Sequence, residues 1–140
     1  MCEKARTRSE TPVREVGFQC RGAYYRHVVT SVRELDSVRQ GALERIVRAV
    51  SAWHPDQVIL FGSHARGDAG PESDLDVLVV LPTDALVTRD VVIDMRLAIG
   101  TLSVDYDLVV TSRAEFAWRR NYAGAIEYPA AHEGVSVYGT

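Results

Sequence analysis

Cysteine is scarce in this chain: among 140 residues only Cys2 and Cys20 occur, with neither a CxxC motif nor metal-ligand spacing. So little cysteine is typical of a reducing compartment, although a disulfide between the two stays open. The N-terminus lacks the apolar segment of a signal peptide. No apolar run approaches the roughly 20 residues that a transmembrane helix needs. These absences predict a cytoplasmic protein that does not enter a membrane.

The chain has no excess of basic residues either. Its formal net charge is -3 and its pI is near 5.8, so we expect no general attraction to nucleic acid or to an anionic membrane. An anionic ligand must therefore be held locally, by a metal ion or by a few basic side chains. Repeats and low-complexity segments are absent. The length and the hydrophobic content of 46% are typical of one globular domain with a real core.

Residues 1–30 are the least regular part of the sequence. Six basic residues outnumber three acidic ones there, and no hydrophobic period is maintained. We expect an N-terminal extension that is disordered at least over residues 1–15. A basic arm for nucleic acid is one interpretation, and a plain solvated tail is favoured over it. The folded domain is predicted to occupy residues 31–140.

Hydrophobic periodicity in this domain predicts alternating helices and strands. The first helix ends near Trp53, before Pro55, and its start stays open because Ser31 and Ser37 both begin segments that resemble capping boxes. The apolar runs of the first two strands are typical of strands buried on both faces. The order of elements implies an α/β fold in which helices flank a small sheet. After the first helix, the predicted elements are strands at 57–61 and 76–81, a helix at 89–101, a strand at 104–111, a helix from the capping box Ser112–Glu115, a short helix at 125–132 and an edge strand at 135–138.

The most informative segment joins the first two strands. Gly62-Ser63 follows the first strand, ten residues intervene, and Asp74 and Asp76 then stand at the head of the second. Two carboxylates at positions i and i+2 of a strand point to the same face, roughly 7 Å apart. Acids this close repel each other unless a cation lies between them. The pattern therefore predicts a divalent-metal site, and the Gly-Ser turn predicts a phosphate beside it.

The backbone of this turn suits a phosphate. Gly62 allows a close approach because no side chain intervenes. Ser63 offers a hydroxyl and an amide N–H, and a short helix starting there would add its positive end. Gly67 permits a second turn with unusual dihedral angles. We therefore expect Gly62, Ser63 and Gly67 to bind the phosphates of a nucleotide.

Arg66 and His64 are the polar side chains of the same turn. Arg66 is placed to neutralise phosphate charge, and its planar guanidinium suits that task better than a lysine would. An ion pair with Asp68 or Glu72 is an alternative of equal weight. His64 is expected to be a variable residue of the turn. The other histidines are scattered and form no metal-ligand set.

The spacing of Gly62-Ser63 and Asp74-Leu75-Asp76 resembles the signature of the DNA polymerase beta-like nucleotidyltransferase superfamily. The form Gly-Ser-x-Ala-Arg-Gly of the turn and the short chain are most similar to its minimal nucleotidyltransferases. The similarity extends from about Val38 to Tyr138. It implies that residues 31–140 form a small mixed β-sheet flanked by helices.

The resemblance also implies a third carboxylate, from the neighbouring strand, that completes a two-metal site for Mg²⁺. Asp105 and Asp107 are the candidates, and on one strand they would lie on the same face. Asp107 is preferred because, like Asp76, it directly precedes an uninterrupted apolar run. Asp74, Asp76 and Asp107 would then be both the metal ligands and the catalytic acids.

With this set of residues the resemblance implies a nucleotidyltransferase that uses ATP as its donor. The metal ions would neutralise the leaving pyrophosphate and activate an attacking hydroxyl, whose proton Asp107 could accept. A domain that keeps the fold and binds a nucleotide or a partner without turnover is the alternative. ATP rests on the resemblance alone, since no residue that reads adenine is evident.

The acceptor is inferred from the length of the chain. Aminoglycoside adenylyltransferases and poly(A) or CCA-adding enzymes carry a further helical domain, and nothing of that kind fits after Tyr138. The resemblance therefore implies a separate helical partner of the HEPN type, often in a toxin–antitoxin module. The first hypothesis is a protein adenylyltransferase that acts as an antitoxin. The others are a noncatalytic scaffold and an enzyme with a small-molecule or RNA acceptor.

Overall fold

The computed structural model describes residues 35–139, so both cysteines and the extension predicted for residues 1–30 lie outside the described part. Within it helices and strands alternate, and the predicted α/β class is confirmed. No helix of residues 35–139 is both long and apolar enough to cross a membrane. The elements are α1 (Ser37–Val50), a 3-10 turn (Ser51–Trp53), β1 (Gln57–Phe61), α2 (Ser63–Arg66), β2 (Leu75–Leu81), α3 (Arg89–Ile99), β3 (Tyr106–Ser112), α4 (Arg113–Arg119), α5 (Glu127–Glu133) and β4 (Val135–Gly139).

The four strands form one mixed sheet in the order β3-β2-β1-β4. β1 pairs antiparallel with β2 and with β4, whereas β2 and β3 run parallel. The small mixed sheet flanked by helices is therefore confirmed, and so is the edge position of the last strand. Because of these directions, the end of β1 and the starts of β2 and β3 meet at one end of the sheet.

Helices cover both faces of this sheet. β2 shows the alternation directly, because Val77 and Val79 belong to one apolar cluster and Leu78 and Val80 to another. The first cluster lies under α1 and α3, and the second lies under α4 and α5. Nearly every residue of β1 and β2 is buried, as their continuous apolar runs predicted. The two central strands therefore form a rigid support, and the polar residues of the motif lie at its end.

The first helix begins with a cap that the sequence interpretation missed. Asp36 is extended, and its Oδ1 accepts a hydrogen bond of 2.8 Å from the backbone N–H of Arg39. Ser37 is the first helical residue rather than a cap, so a capping box at that position is wrong. Ser31, the other candidate, lies outside the described residues. Aspartate caps as well as serine does, and here it also pairs with the Arg39 guanidinium.

Several element boundaries differ from the predicted ones by one or two residues, among them those of α3 and β3. α3 ends at Ile99, two residues early, because Gly100 adopts a φ of 74° that a helix cannot continue through. β3 begins at Tyr106, two residues late. The expectation that Asp105 and Asp107 share one face of the same strand is therefore corrected: Asp105 precedes the strand, and only Asp107 lies on it.

Ser112 is confirmed as the N-cap of α4, which is one half of the predicted capping box. The Ser112 side chain accepts a hydrogen bond of 3.1 Å from the backbone N–H of Glu115. Phe116, one residue further, is buried against the sheet, whereas Trp118 is 57% exposed. Trp118 therefore does not contribute to the core, and α4 is anchored by its cap and one aromatic ring.

Removal of this cap should destabilise the domain measurably. Ser112→Ala is expected to lower the free energy of unfolding by about 1 kcal/mol, because the N–H of Glu115 loses its acceptor. The melting temperature should fall by about 4–8 °C, measurable by circular dichroism. The exposed Ser103→Ala is the control and should stay within about 0.5 kcal/mol of the unsubstituted protein. Equal stability of the two variants would contradict the cap.

Candidate functional site

The predicted acids meet at the end of the sheet where β1 finishes and β2 and β3 begin. In the strand register Asp76 lies opposite Phe61 on β1 and opposite Asp107 on β3. Neighbouring strands are about 4.8 Å apart, so the backbones of Asp76 and Asp107 are adjacent. Asp74 comes two residues before Asp76, and Gly62 directly follows Phe61. The structure thus brings the acid pair, the third acid and the Gly-Ser corner together.

Gly62 occupies a backbone conformation that only glycine adopts readily. Its φ of 76° and ψ of -155° lie in a region essentially closed to other residues. A Cβ atom at this position would also overlap the carboxylate of Asp76. The glycine therefore allows the chain to turn into α2 directly against the buried side of that carboxylate.

The corner itself is a short helical turn. α2 contains four residues, with Gly62 at its N-cap position and Gly67 after its end. Gly67 has a φ of 89°, and its N–H donates to the Ser63 carbonyl at 2.9 Å. Ser63 is therefore the first residue of the turn, as predicted. Phosphate binding by Gly62, Ser63 and Gly67 stays a prediction.

Arg66 forms ion pairs at the protein surface. Its Nε lies 3.3 Å from Asp68, and its Nη1 lies 3.6 Å from Glu133 of α5. Of the two acids proposed as surface partners, Asp68 pairs with it, and Glu72 is not among the ion pairs found in the described chain. Exposed pairs of this kind contribute at most about 1 kcal/mol. The guanidinium can therefore be recruited by a stronger anion, and its contact with a phosphate stays a prediction.

The electrostatics of Asp76 show that the acids interact. Burial raises the pKa of the Asp76 carboxyl above its ordinary value, and the negative charges of Asp107 and Asp74 raise it further. The charges of His64 and Arg66 oppose this shift in pKa without cancelling it. A half-buried carboxylate between two other acids is unfavourable unless a cation joins them.

The donor chemistry fits Mg²⁺, which prefers carboxylate oxygens. The three acids do not, however, form a ready-made ligand shell: within residues 35–139 no group of three or more acidic, histidine or cysteine side chains is arranged to hold an ion. Mg²⁺ commonly binds through one or two carboxylates and completes its shell with water and substrate phosphates. The residues therefore fit a metal that arrives with a nucleotide better than a resident ion.

The two candidates for the third acid are placed differently. Asp107 faces Asp76 across the parallel pair and contributes to the raised pKa of that carboxyl. Asp105 precedes the strand, and its backbone carbonyl accepts a hydrogen bond of 3.1 Å from the N–H of Leu75. The register favours Asp107 as the partner of Asp76, and its role as a ligand stays a prediction.

His64 has a role that the sequence interpretation missed. It is 95% buried, and its Nε2 lies 3.2 Å from the carbonyl oxygen of Ser73, the residue before Asp74. A carbonyl only accepts, so Nε2 carries the proton. Nδ1 is buried without a partner. A four-residue helix is too short for a hydrophobic period, so the sequence does not predict that His64 is buried. Its position inside the Gly-Ser motif is the one available signal.

Arg39 of α1 reaches the same region. Its Nη2 donates a hydrogen bond of 2.6 Å to the Pro71 carbonyl, and its Nη1 pairs with Asp36 at 2.7 Å. Its Nε, like Nδ1 of His64, is buried without a partner. Each such atom costs about 1–3 kcal/mol. The two side chains line one pocket, together with Asp36, Gly67, Ala69, Gly70 and Pro71.

Comparison with known sequences identifies the family. Residues 43–130, more than half of the chain, match the family described as "Nucleotidyltransferase domain". A protein of Methanocaldococcus jannaschii named "Putative protein adenylyltransferase" is 41% identical over 59 residues, which are 40% of this chain and 54% of that protein. The chain therefore spans about half the length of this relative.

Two solved structures align with the chain at low identity. One, described as "Crystal structure of the toxin-antitoxin with AMP-PNP", has a TM-score of 0.48 and 20% identity, and the alignment covers 69% of this chain and 72% of that one. The other, a "putative nucleotidyltransferase from Sulfolobus solfataricus", has a TM-score of 0.41 and 21% identity, with 67% and 76% covered. Likeness at this level supports no inference about activity.

A side chain at Gly62 should be poorly tolerated. Gly62→Ala is expected to lower the free energy of unfolding by about 1–3 kcal/mol, because the backbone is strained and the Cβ displaces the Asp76 carboxylate. Urea denaturation measures this change. Gly41→Ala is the matched control, since a Cβ there meets nothing within 4 Å. In the middle of α1 it should stabilise the protein by up to about 1 kcal/mol. Equal effects of the two substitutions would contradict the close approach at Gly62.

The raised pKa of Asp76 has a consequence for stability. A carboxyl whose pKa is higher in the folded state stabilises it only while protonated, so this contribution is lost as pH rises from 3.8 through the raised value. Asp76→Asn should therefore be more stable than the unsubstituted protein at pH 7. The difference should shrink as pH approaches 3.8, as followed by urea denaturation across this range. A less stable Asn variant at pH 7 would contradict the repulsion.

Proposed function

The chain belongs to the nucleotidyltransferase domain family, and on this premise we propose that it transfers AMP from ATP to a hydroxyl of a partner protein in the presence of Mg²⁺. One observation carries the proposal. The strand register sets Asp107 beside Asp76, and the Gly62 turn packs directly against the Asp76 carboxylate. A triphosphate held at this turn would lie next to the carboxylates that would bind its metal ion.

Each residue has a stated role in this proposal. Gly62, Ser63 and Gly67 present the backbone and the hydroxyl to the phosphate oxygens, and Arg66 leaves its surface ion pairs to neutralise them. Asp74, Asp76 and Asp107 hold the metal. Mg²⁺, when bound, would stabilise the leaving pyrophosphate and lower the pKa of the attacking hydroxyl.

Asp107 accepts the proton of the attacking hydroxyl in this scheme. The hydroxyl oxygen then forms a bond to the α-phosphorus, and the bond between that phosphorus and the bridging oxygen breaks to release pyrophosphate. Asp107 suits this task because it is exposed at the start of β3, where an acceptor can approach. Asp76 is more buried and suits the metal.

A protein acceptor is the finer part of the proposal. The name of the Methanocaldococcus jannaschii relative supports protein adenylylation, although this chain spans about half of that relative. We propose a helical partner of the HEPN type as the acceptor and an antitoxin role for this chain. ATP as donor belongs to the same proposal.

A noncatalytic binding module is the second candidate. It rests on the Gly62 turn beside the Asp76 carboxylate, which can hold a nucleotide whether or not transfer follows. Such a module would bind the nucleotide or the partner at the same corner and transfer nothing. The two candidates differ in whether label from ATP becomes covalently attached to another molecule.

A transfer assay separates them. The purified chain is incubated with ATP labelled at the α-phosphate, Mg²⁺ and the protein encoded by the neighbouring gene. Label should appear on that protein and disappear with EDTA. Asp74→Asn, Asp76→Asn and Asp107→Asn should each reduce the rate by at least about 100-fold, the upper end of what loss of an outer-shell partner costs a metal site.

Asp105→Asn is the matched control for Asp107→Asn, because it changes the same group two residues away. It should retain most of the activity. Equal losses in both would contradict the assignment of Asp107 as the third acid. A tight complex without label supports the noncatalytic module, and label only on added RNA or on a small molecule contradicts the protein acceptor.

A further inference from the structure

The segment between α2 and β2, residues 67–73, leads directly into Asp74. His64 holds the end of this segment through its hydrogen bond of 3.2 Å to the Ser73 carbonyl. The segment is closed on itself, since the N–H of Gly70 donates to Oγ of Ser73 at 2.9 Å and the N–H of Ser73 to the carbonyl of Gly70 at 3.1 Å. The backbone immediately before the Asp74 carboxylate is therefore fixed to α2, the helix that begins at the Gly-Ser corner.

Arg39 of α1 holds the middle of the same segment. Its Nη2 donates to the Pro71 carbonyl at 2.6 Å, although the two residues are 32 positions apart. Asp36 orients the guanidinium through a hydrogen bond of 2.7 Å to Nη1. The segment is thus tied to α1 and to α2, and both anchors are side-chain donors that reach backbone carbonyls.

Each anchor also carries a cost in stability. Nδ1 of His64 and Nε of Arg39 are buried without a partner, and both side chains line the pocket beneath the segment. An apolar side chain of similar size would avoid this cost at either position. Local violations of this kind concentrate at functional sites.

We propose that His64 and Arg39 are positioning residues for nucleotidyl transfer. They fix residues 67–73 and thereby set where Asp74 presents its carboxylate to the metal and the nucleotide. The proposal rests on the proposed function only in the role that it gives to Asp74. Neither side chain contacts the reacting atoms in this scheme.

The test compares two substitutions of His64 in the full chain. His64→Leu keeps the bulk and removes the donor, whereas His64→Gln keeps an amide N–H that can replace the Nε2–H of the imidazole. His132→Gln is the matched control, because His132 also bonds a backbone carbonyl, that of Tyr128 at 2.8 Å, but from the exposed surface of α5. Hydrogen exchange, melting temperature, transfer rate and affinity for Mn²⁺ in the presence of ATP are measured for each.

His64→Leu should accelerate exchange of the amides of residues 67–75 by at least about tenfold. It should weaken Mn²⁺ binding and lower kcat by about 10–100-fold without lowering the melting temperature. His64→Gln should restore most of both losses, and His132→Gln should change neither. A lower melting temperature of His64→Leu with faster exchange throughout residues 35–139 would show a stability role and overturn the proposal. Unchanged exchange at 67–75 with a reduced rate would place His64 on the substrate and overturn it equally.

Arg39→Met tests the second anchor separately. The cap of α1 survives this change, since Asp36 accepts from the backbone N–H of residue 39. Faster exchange confined to residues 67–75 is expected again, and unchanged exchange there would overturn this half of the proposal. If the unsubstituted protein transfers no label, the proposed function fails, while exchange and Mn²⁺ affinity still decide whether the two residues position Asp74.

Discussion

The mutual repulsion of carboxylates at one end of the sheet is the constraint on which the rest of the site depends. Parallel pairing of β2 with β3 sets Asp107 beside Asp76, and burial deprives Asp76 of part of its hydration. An arrangement that is unfavourable by itself persists because apolar clusters on both faces of the sheet specify the strands around it. The same negative charges would attract a divalent cation, and the apolar core would hold them in place for it.

Several features that lower stability lie at the corner that runs from Gly62 to Asp76. Gly62 holds a conformation that other residues avoid, and His64 buries an unpartnered nitrogen directly behind it. Arg39 adds a second unpartnered nitrogen where α1 meets the segment before Asp74. Elsewhere α1, α3 and α4 carry side-chain N-caps and the two central strands are apolar, although Oε2 of Glu127 is also buried without a partner. Several such features at one corner of a regular fold are typical of a functional site.

Much of this could be predicted from the sequence, because strands, caps and the Gly-Ser and Asp-x-Asp motifs are local patterns. The preference for Asp107 over Asp105 used a local argument too, and the register between β2 and β3 is consistent with it. The contacts that the sequence does not predict join residues far apart along the chain. Nη2 of Arg39, for example, donates a hydrogen bond to the carbonyl of Pro71, 32 positions away. The buried Glu127 carboxylate likewise accepts hydrogen bonds from Arg119 and Thr111. No hydrophobic period in the sequence predicts such a contact. The Asp36 cap is a local feature, but Ser31 and Ser37 nearby begin segments that resemble capping boxes and compete with it in the sequence.

The central strand β1 has a further consequence for how the molecule is made. One of its partners, β2, follows after a short connection, whereas β4 is synthesised much later. Pairings between segments distant along a chain form slowly. During translation β1, β2 and β3 can pair and form the acidic corner before β4 is available. The other edge of β1 is then still unpaired. A nascent domain in that state exposes a bare strand edge, which is prone to aggregation until β4 pairs with it.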